Sequence, residues 1–185
     1  LAGRQGARAV ELSSACLEEA YRAELDMPAG AITYADLEKV ERLALVGWET
    51  FGAETAYGYR LESTLDSVSQ YASPAGDVSD LTLLSHMPNL KELYLCQQAI
   101  ADLSPLAGLE LQVLALSDNQ ITDLSPLAGM DSLEELWLGG NPVADASPLA
   151  DLGRLRLLNL SAGHGADTGL DSLSFLAELP LDTLS

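Results

Sequence analysis

A chain of 185 residues with 48% hydrophobic content is long enough for one domain with a sizeable core, and aromatics at only 5% leave leucine to carry that core. Nine basic against 28 acidic residues give a formal net charge of −19. A single-sign field of that size excludes nucleic acid and anionic membrane surfaces as partners, because both demand Lys and Arg. It favours a basic partner or simply keeps the chain dissolved. Between Leu61 and Gly153 the only Lys or Arg is Lys91. No apolar run approaches the ~18 residues that a membrane span requires. Cys16 and Cys96 fall in different units, so no disulfide is expected. The start at Leu1 and the closing Leu181-Asp182-Thr183-Leu184, which reads as the opening of another repeat, suggest a piece cut from a longer protein.

In chain order, residues 1–39 read as a lead and a helical cap. The spacing predicts a helix from Ala7 to Leu25, with Val10, Leu12, Cys16, Leu17, Ala20 and Leu25 sharing a broad apolar face. Met27-Pro28 and Gly30 end it. Thr33, with Asp36 three residues on, predicts a capping box and a short helical turn through Leu37. An amphipathic helix ahead of stacked repeats suits the sealing of their exposed end.

Residues 40–185 then read as about six repeats, the first and last irregular. Val40, Leu43 and Leu45 fit a first strand. A second, weaker unit is read from Val68 to Asn89 through Val68, Tyr71, Val78, Leu81, Leu84 and Met87, which leaves about six extra residues in the first. That surplus falls near Trp48–Tyr59, where four of the chain's ten aromatics are gathered. The segment either extends a binding surface or covers the first repeat. Three clear units follow, LKELYLCQQAIADLSPLAGLE, LQVLALSDNQITDLSPLAGMDS and LEELWLGGNPVADASPLADLGR, with periods of 21, 22 and 22 residues. A sixth opens at Leu155, Leu158 and Leu160 and carries a longer turn through His164.

The repeat has a physical reading. Leu114 and Leu116 stand two apart and point to one face of a short strand, so Val113, Ala115 and Ser117 point to the other. Asn119 turns the chain inward. Ser125 is expected to cap a helical start with Pro126 at its first position. Leu124, Leu127 and Met130 supply the return face. Such a unit cannot bury its leucines alone and must stack on copies of itself. The pattern LxxLxLxxNxIxDLSPLAxL over residues 111–130 resembles the 22-residue leucine-rich repeat of internalin-like bacterial proteins and of related phosphatase-regulator-type proteins, roughly from Val40 onward. The resemblance implies an α/β leucine-rich-repeat solenoid, with short parallel strands on the concave face and short helical or 3₁₀ segments on the convex face. It also implies protein binding in a bacterial, secreted or cell-surface setting, with a cytoplasmic one left open.

The concave face is the leading candidate site. One column is Ala44, Ala72, Tyr94, Ala115, Trp137 and Asn159; the column before it is Arg42, Gln70, Glu92, Val113, Glu135 and Leu157. Tyr94, Val113, Trp137 and Leu157 are expected to form an exposed apolar patch ringed by Glu92, Asp118, Glu134 and Glu135. The alternative is that the rings lie flat and merely shield the sheet. Asp80, Asp102, Asp123 and Asp145 form a column that suits local turn bonding better than calcium, since each repeat offers one carboxylate. His164 with Asp167 and Asp171 is short of zinc ligands. The Asn position is kept at Asn119 and Asn141, with Gln98, Gly76 and Gly163 elsewhere, so a broken ladder is expected. No nucleophile–base pair, phosphate loop or dinucleotide fingerprint occurs.

These features predict a non-enzymatic protein-binding module without cofactor or metal. The partner-binding residues would be Tyr94, Trp137, Val113, Leu157, Glu92, Glu135 and Asp118, and the partner a protein with a basic surface. A monomer is expected, with pairing through an open sheet edge as the other possibility. Two alternatives are a spacer domain of a larger surface protein and carbohydrate binding through the aromatics.

Overall fold

The computed structural model describes residues 7–12, 14–47, 72–73, 78–161, 174, 176 and 179–184, with the backbone alone described at 16, 46, 47, 72 and 73. Helix α1 spans Ala15–Glu24, not Ala7–Leu25. Its start is set by Ser14, whose Oγ accepts the Leu17 N–H at 3.1 Å. The residues before it spend their backbone groups on the chain returning at Ile32. The Val10 N–H bonds the Ile32 carbonyl at 2.8 Å, the Tyr34 N–H bonds that of Arg8, and Ala9 bridges Thr33 antiparallel. Leu17, Ala20 and Tyr21 are buried in the core, and α1 packs on the first strand. Burial raises the Tyr21 phenol well above its ordinary pKa.

Arg22 ties this cap together. Its guanidinium donates to Glu18 Oε1 at 2.6 Å and to the carbonyls of Gly30 and Met27, at 2.8 and 3.3 Å. Helix α2, Tyr34–Leu37, opens as the spacing predicts, with Asp36 Oδ2 accepting from both the Thr33 N–H (3.0 Å) and the Thr33 hydroxyl (2.7 Å). The Lys39 ammonium at 2.8 Å, with those Thr33 bonds, holds the Asp36 carboxyl down at about 2.

Beyond the cap, β1 (Arg42–Gly47), β2 (Ala72–Ser73), β3 (Glu92–Cys96), β4 (Val113–Ala115), β5 (Glu135–Trp137), β6 (Leu157–Asn159) and β7 (Thr183–Leu184) form one parallel sheet, ordered β2-β1-β3-β4-β5-β6-β7. Leu43, Leu93, Leu114, Leu136 and Leu158 are in register and almost wholly buried. The order corrects one expectation. β1 pairs directly with β3, placing Ala44 beside Tyr94, while β2 lies on the outer side of β1 with Ala72 against Val46. Ala72 is therefore not between Ala44 and Tyr94, and Val78–Met87 is the return segment of the unit that β1 opens. Leu43 and Val78, thirty-five residues apart, occupy the places that Leu93 and Ile100 occupy seven apart. The segment between Gly47 and Val78 is mostly outside the described residues.

The equivalence of Val78 and Ile100 rests on a buried amide row. Asn119 Oδ1 accepts the Ile100 N–H at 3.1 Å, and its Nδ2 donates to the carbonyls of Leu95, Leu116 and Ser117. Asn141 repeats this on Ile121, Leu116 and Leu138. Gln98, expected to break the row, continues it. Its Oε1 accepts the Val78 N–H at 3.0 Å and its Nε2 donates to the Cys96 carbonyl. The longer amide reaches the same backbone group. Gly76 and Gly163 lie outside the described residues.

On the convex side, Ser104–Leu106, Ser125–Leu127 and Ser147–Leu149 are single 3₁₀ turns, with Thr82–His86 as a longer equivalent. The serines do not cap these turns; each is the first residue within its turn. The cap is the aspartate two residues earlier. Asp80, Asp102, Asp123 and Asp145 each accept the N–H of Thr82, Ser104, Ser125 or Ser147 at 2.8–2.9 Å. Those bonds depress all four carboxyl pKa values.

Asn119→Ala removes the bonds to the buried Ile100 N–H and Leu95 carbonyl, while the Leu116 and Ser117 carbonyls keep Asn141 and the Gln97 N–H, so urea unfolding should show a loss of about 2 kcal/mol. The depressed aspartates stabilise the fold at pH values above their ordinary range near ~4. That contribution is lost as pH falls through the depressed values. The triple variant Asp102→Ala/Asp123→Ala/Asp145→Ala should melt at lower temperature at pH 7, and its melting temperature should fall less than wild type's between pH 5 and pH 2.5.

Candidate binding face on the concave sheet

The strand register builds the site. Residues at every second position of β1 and β3–β6 face away from the leucine core, giving one row of Arg42, Glu92, Val113, Glu135 and Leu157 and a second of Ala44, Tyr94, Ala115, Trp137 and Asn159. Tyr94, Cys96, Ala115 and Trp137 form a second apolar cluster, separate from the leucine core, with Ala44, Val113 and Leu157 packed against it. Four of the residues expected at the site, Tyr94, Val113, Trp137 and Leu157, are thus brought together.

Their exposure differs from expectation. Tyr94 is 7% exposed and Trp137 8%, and between them Ala115 is inaccessible. Alanine leaves a gap in the row, and the large side chains on the two flanking strands close over it. The more accessible part of the face is instead the first row, where Glu92, Val113, Glu135 and Leu157 are partly buried. Glu134 is also partly covered.

The carboxylates act on this floor. The Tyr94 hydroxyl donates to Glu92 Oε2 at 3.1 Å. Burial, reinforced by the charges of Glu92 and Glu135, lifts the phenol pKa far above its usual value. Arg42 neighbours Glu92 in register but also approaches the cap, its Nε 4.0 Å from Glu24 Oε2. Burial outweighs Arg42 at Glu24 and raises that carboxyl. Asp118 is exposed in the turn after β4, in left-handed backbone at φ 54°, and stands on the rim rather than on the face.

A third row extends the site, and strand alternation already points its Ser117 to this face. It runs through Cys96, Ser117, Gly139 and Ser161, joined by the bonds Gln97 N–H to Ser117 carbonyl, Asp118 N–H to Gly139 carbonyl and Gly140 N–H to Ser161 carbonyl. The signal was the small residue that follows each strand's last leucine. Gly139 leaves room there for its neighbours' side chains: a Cβ would lie 2.7 Å from Asn159 Oδ1 and 2.8 Å from Ser161 Oγ, and both would have to move. Cys96 is fully buried, and desolvation pushes its thiol up to about 12 despite a backbone hydrogen bond from Ser117. It is a packing residue, not an activated thiolate.

Among the described residues, no group of three or more His, Cys, Asp or Glu is placed to hold a metal ion, and no helix is long and apolar enough to cross a membrane. His164, Asp167, Asp171, Gln70 and the Trp48–Tyr59 segment lie outside the described residues.

Parallel strands in leucine register, a buried amide row and 3₁₀ return turns define a leucine-rich-repeat solenoid. The family model for leucine-rich repeats (2 copies) matches residues 110–151. Among solved structures, an internalin (inlF) of Listeria monocytogenes is 28% identical with a TM-score of 0.66, covering 92% of this chain and 42% of that one. An internalin C2 (inlC2) of the same organism is 26% identical with a TM-score of 0.53, covering 92% of this chain and 93% of that one. A leucine-rich-repeat protein of Leptospira interrogans is 25% identical with a TM-score of 0.52, covering 62% and 30%. The chain therefore spans less than half the length of the first internalin and nearly all of the second. No curated protein matches it. The fold is that of a leucine-rich-repeat solenoid, and its repeats resemble those of the internalins.

In a Cys16→Ser background, Cys96 should react with a thiol reagent at pH 8 at least tenfold more slowly in the folded protein than in 6 M guanidinium. Equal rates would show that the third row is open to solvent.

Proposed function

We propose that this protein is a non-enzymatic interaction module that binds a partner protein on its concave face. In this reading residues 1–39 are lead and cap, and residues 40–185 form the array that displays the site. Leucine-rich repeats generally mediate protein–protein interaction. The observation that carries the concave assignment is the second apolar cluster, built on a sheet whose other face already holds the core. Tyr94 and Trp137 act as a rigid floor, so little side-chain entropy is lost when a partner lands on it. Val113 and Leu157 offer the accessible apolar contacts, and Glu92, Glu135 and Asp118 supply a rim that steers a basic partner. The covered ring faces leave little area for stacking a sugar. The internalin likeness supports a bacterial origin and an extracellular or cell-surface setting for the whole protein.

The test is capture of a partner from extracts of the source cell and its surroundings, with wild-type bait beside Val113→Asp/Leu157→Asp. These side chains are only partly buried, at the margin of the second cluster, and circular dichroism checks that the variant keeps its fold. A partner held by wild type and reduced at least tenfold on the variant is the expected result. Equal retention by both baits would remove the concave face from the account.

A further inference from the structure

The cap and the concave face share one cation. Arg42 is the only basic residue in the two rows that β1 and β3–β6 turn away from the leucine core. Two carboxylates compete for it, one from each side of the junction. Glu92 is its direct register neighbour on β3. Glu24, the last residue of α1, brings Oε2 to 4.0 Å from Arg42 Nε, the outer limit of an ion pair. The guanidinium therefore stands on the cap side, while Glu92 Oε2 accepts the Tyr94 hydroxyl at 3.1 Å. The Arg42 side chain is 42% exposed, which leaves it room to turn either way. Its charge is felt at Glu24 and at the Tyr94 hydroxyl, so it acts on the cap and on the face together.

We propose that Glu24, Arg42 and Glu92 form a proton-operated charge switch: protonation of Glu24 releases the Arg42 guanidinium from the cap to Glu92 and so lowers the negative charge of the concave face. Three features make Glu24 the member that gives way. It sits where α1 packs on β1, its side chain only 26% exposed, and a carboxylate there is costly to keep charged. It ends a helix, where the carbonyl dipole opposes negative charge. Glu41, just before β1, and Glu92, on β3, add like charge. Burial raises the Glu24 carboxyl, those two charges add to the rise, and Arg42 opposes it. The other cation of the helix's last turn, Arg22, is committed to Glu18 and to the carbonyls of Met27 and Gly30. A carboxyl raised by folding contributes stability below its ordinary pKa and loses it as pH rises through the raised value, so the cap tightens on acidification. The consequence for a partner rests on the concave-face reading above. A basic partner meets Glu92 without its cation above the transition and Glu92 paired with Arg42 below it, so acid weakens the capture.

The experiment is a pH titration of the full chain by NMR from pH 7 to pH 4, reading the side-chain carboxyl carbons of Glu24 and Glu92 and the Arg42 Nε–H. The Arg42 signal should move with the Glu24 midpoint, and the Glu92 signal should show an inflection there. In Glu24→Gln the Arg42 signal should stand at its acid position throughout, with amide spectra outside the cap, β1 and β3 checking that the fold is kept. An Arg42 signal that ignores the Glu24 midpoint, or that is the same at pH 7 in wild type and Glu24→Gln, would overturn the switch. With the captured partner at pH 7, Glu24→Gln should bind about threefold more weakly than wild type, the size expected of one partly exposed charge pair. Equal capture by the two would overturn the switch's hold on the face. A flat titration, with capture still lost on Val113→Asp/Leu157→Asp, would remove the switch alone. A linked titration, with capture retained on that variant, would remove the concave-face reading and leave the switch standing.

Discussion

The fold depends on the need to satisfy backbone groups where the chain turns from each strand into the solenoid's interior. A parallel stack of short strands leaves N–H and carbonyl groups pointing into a leucine core, where each unpaired group carries a large desolvation cost. Gln98, Asn119 and Asn141 meet those groups with side-chain amides that are themselves almost wholly buried. Leucine packing fills the volume between units. The amides fix how one unit sits on the next, and so the register that carries Glu92, Val113 and Glu135 into line.

Most of the array was legible because the repeat imposes three periodicities together: leucines two apart in a strand, an amide five residues on, and Ser-Pro at the return turn. The cap was half legible. Apolar spacing marked α1, but spacing alone cannot tell that the segment before Ser14 pairs with the chain around Ile32, a contact made across more than twenty residues. The first repeat was misdivided for a related reason. Val68 and Tyr71 mimic strand offsets, and only the pairing of β1 with β3 reveals that Val78 closes the unit begun at Val40.

At the site, the sequence identified which side chains share a face but not how far they stand above it. Alternation decides direction; exposure depends on what the neighbouring strands place alongside. Ala115 between Tyr94 and Trp137 lets both large side chains pack down, so the expected exposed patch is a covered floor with an accessible row of Glu92, Val113, Glu135 and Leu157 beside it. The small-residue row through Ser117 and Gly139 carried no hydrophobic signal at all. Its rule is steric, and it appears only when Asn159 and Ser161 are seen against Gly139.

The amide row also has a direction. Asn119 reaches back to Leu95 and Ile100, Asn141 reaches back to Leu116 and Ile121, and Gln98 reaches back to Val78. Each turn is therefore finished by a side chain that belongs to its successor. A repeat without its successor would lack the amide that closes its turn.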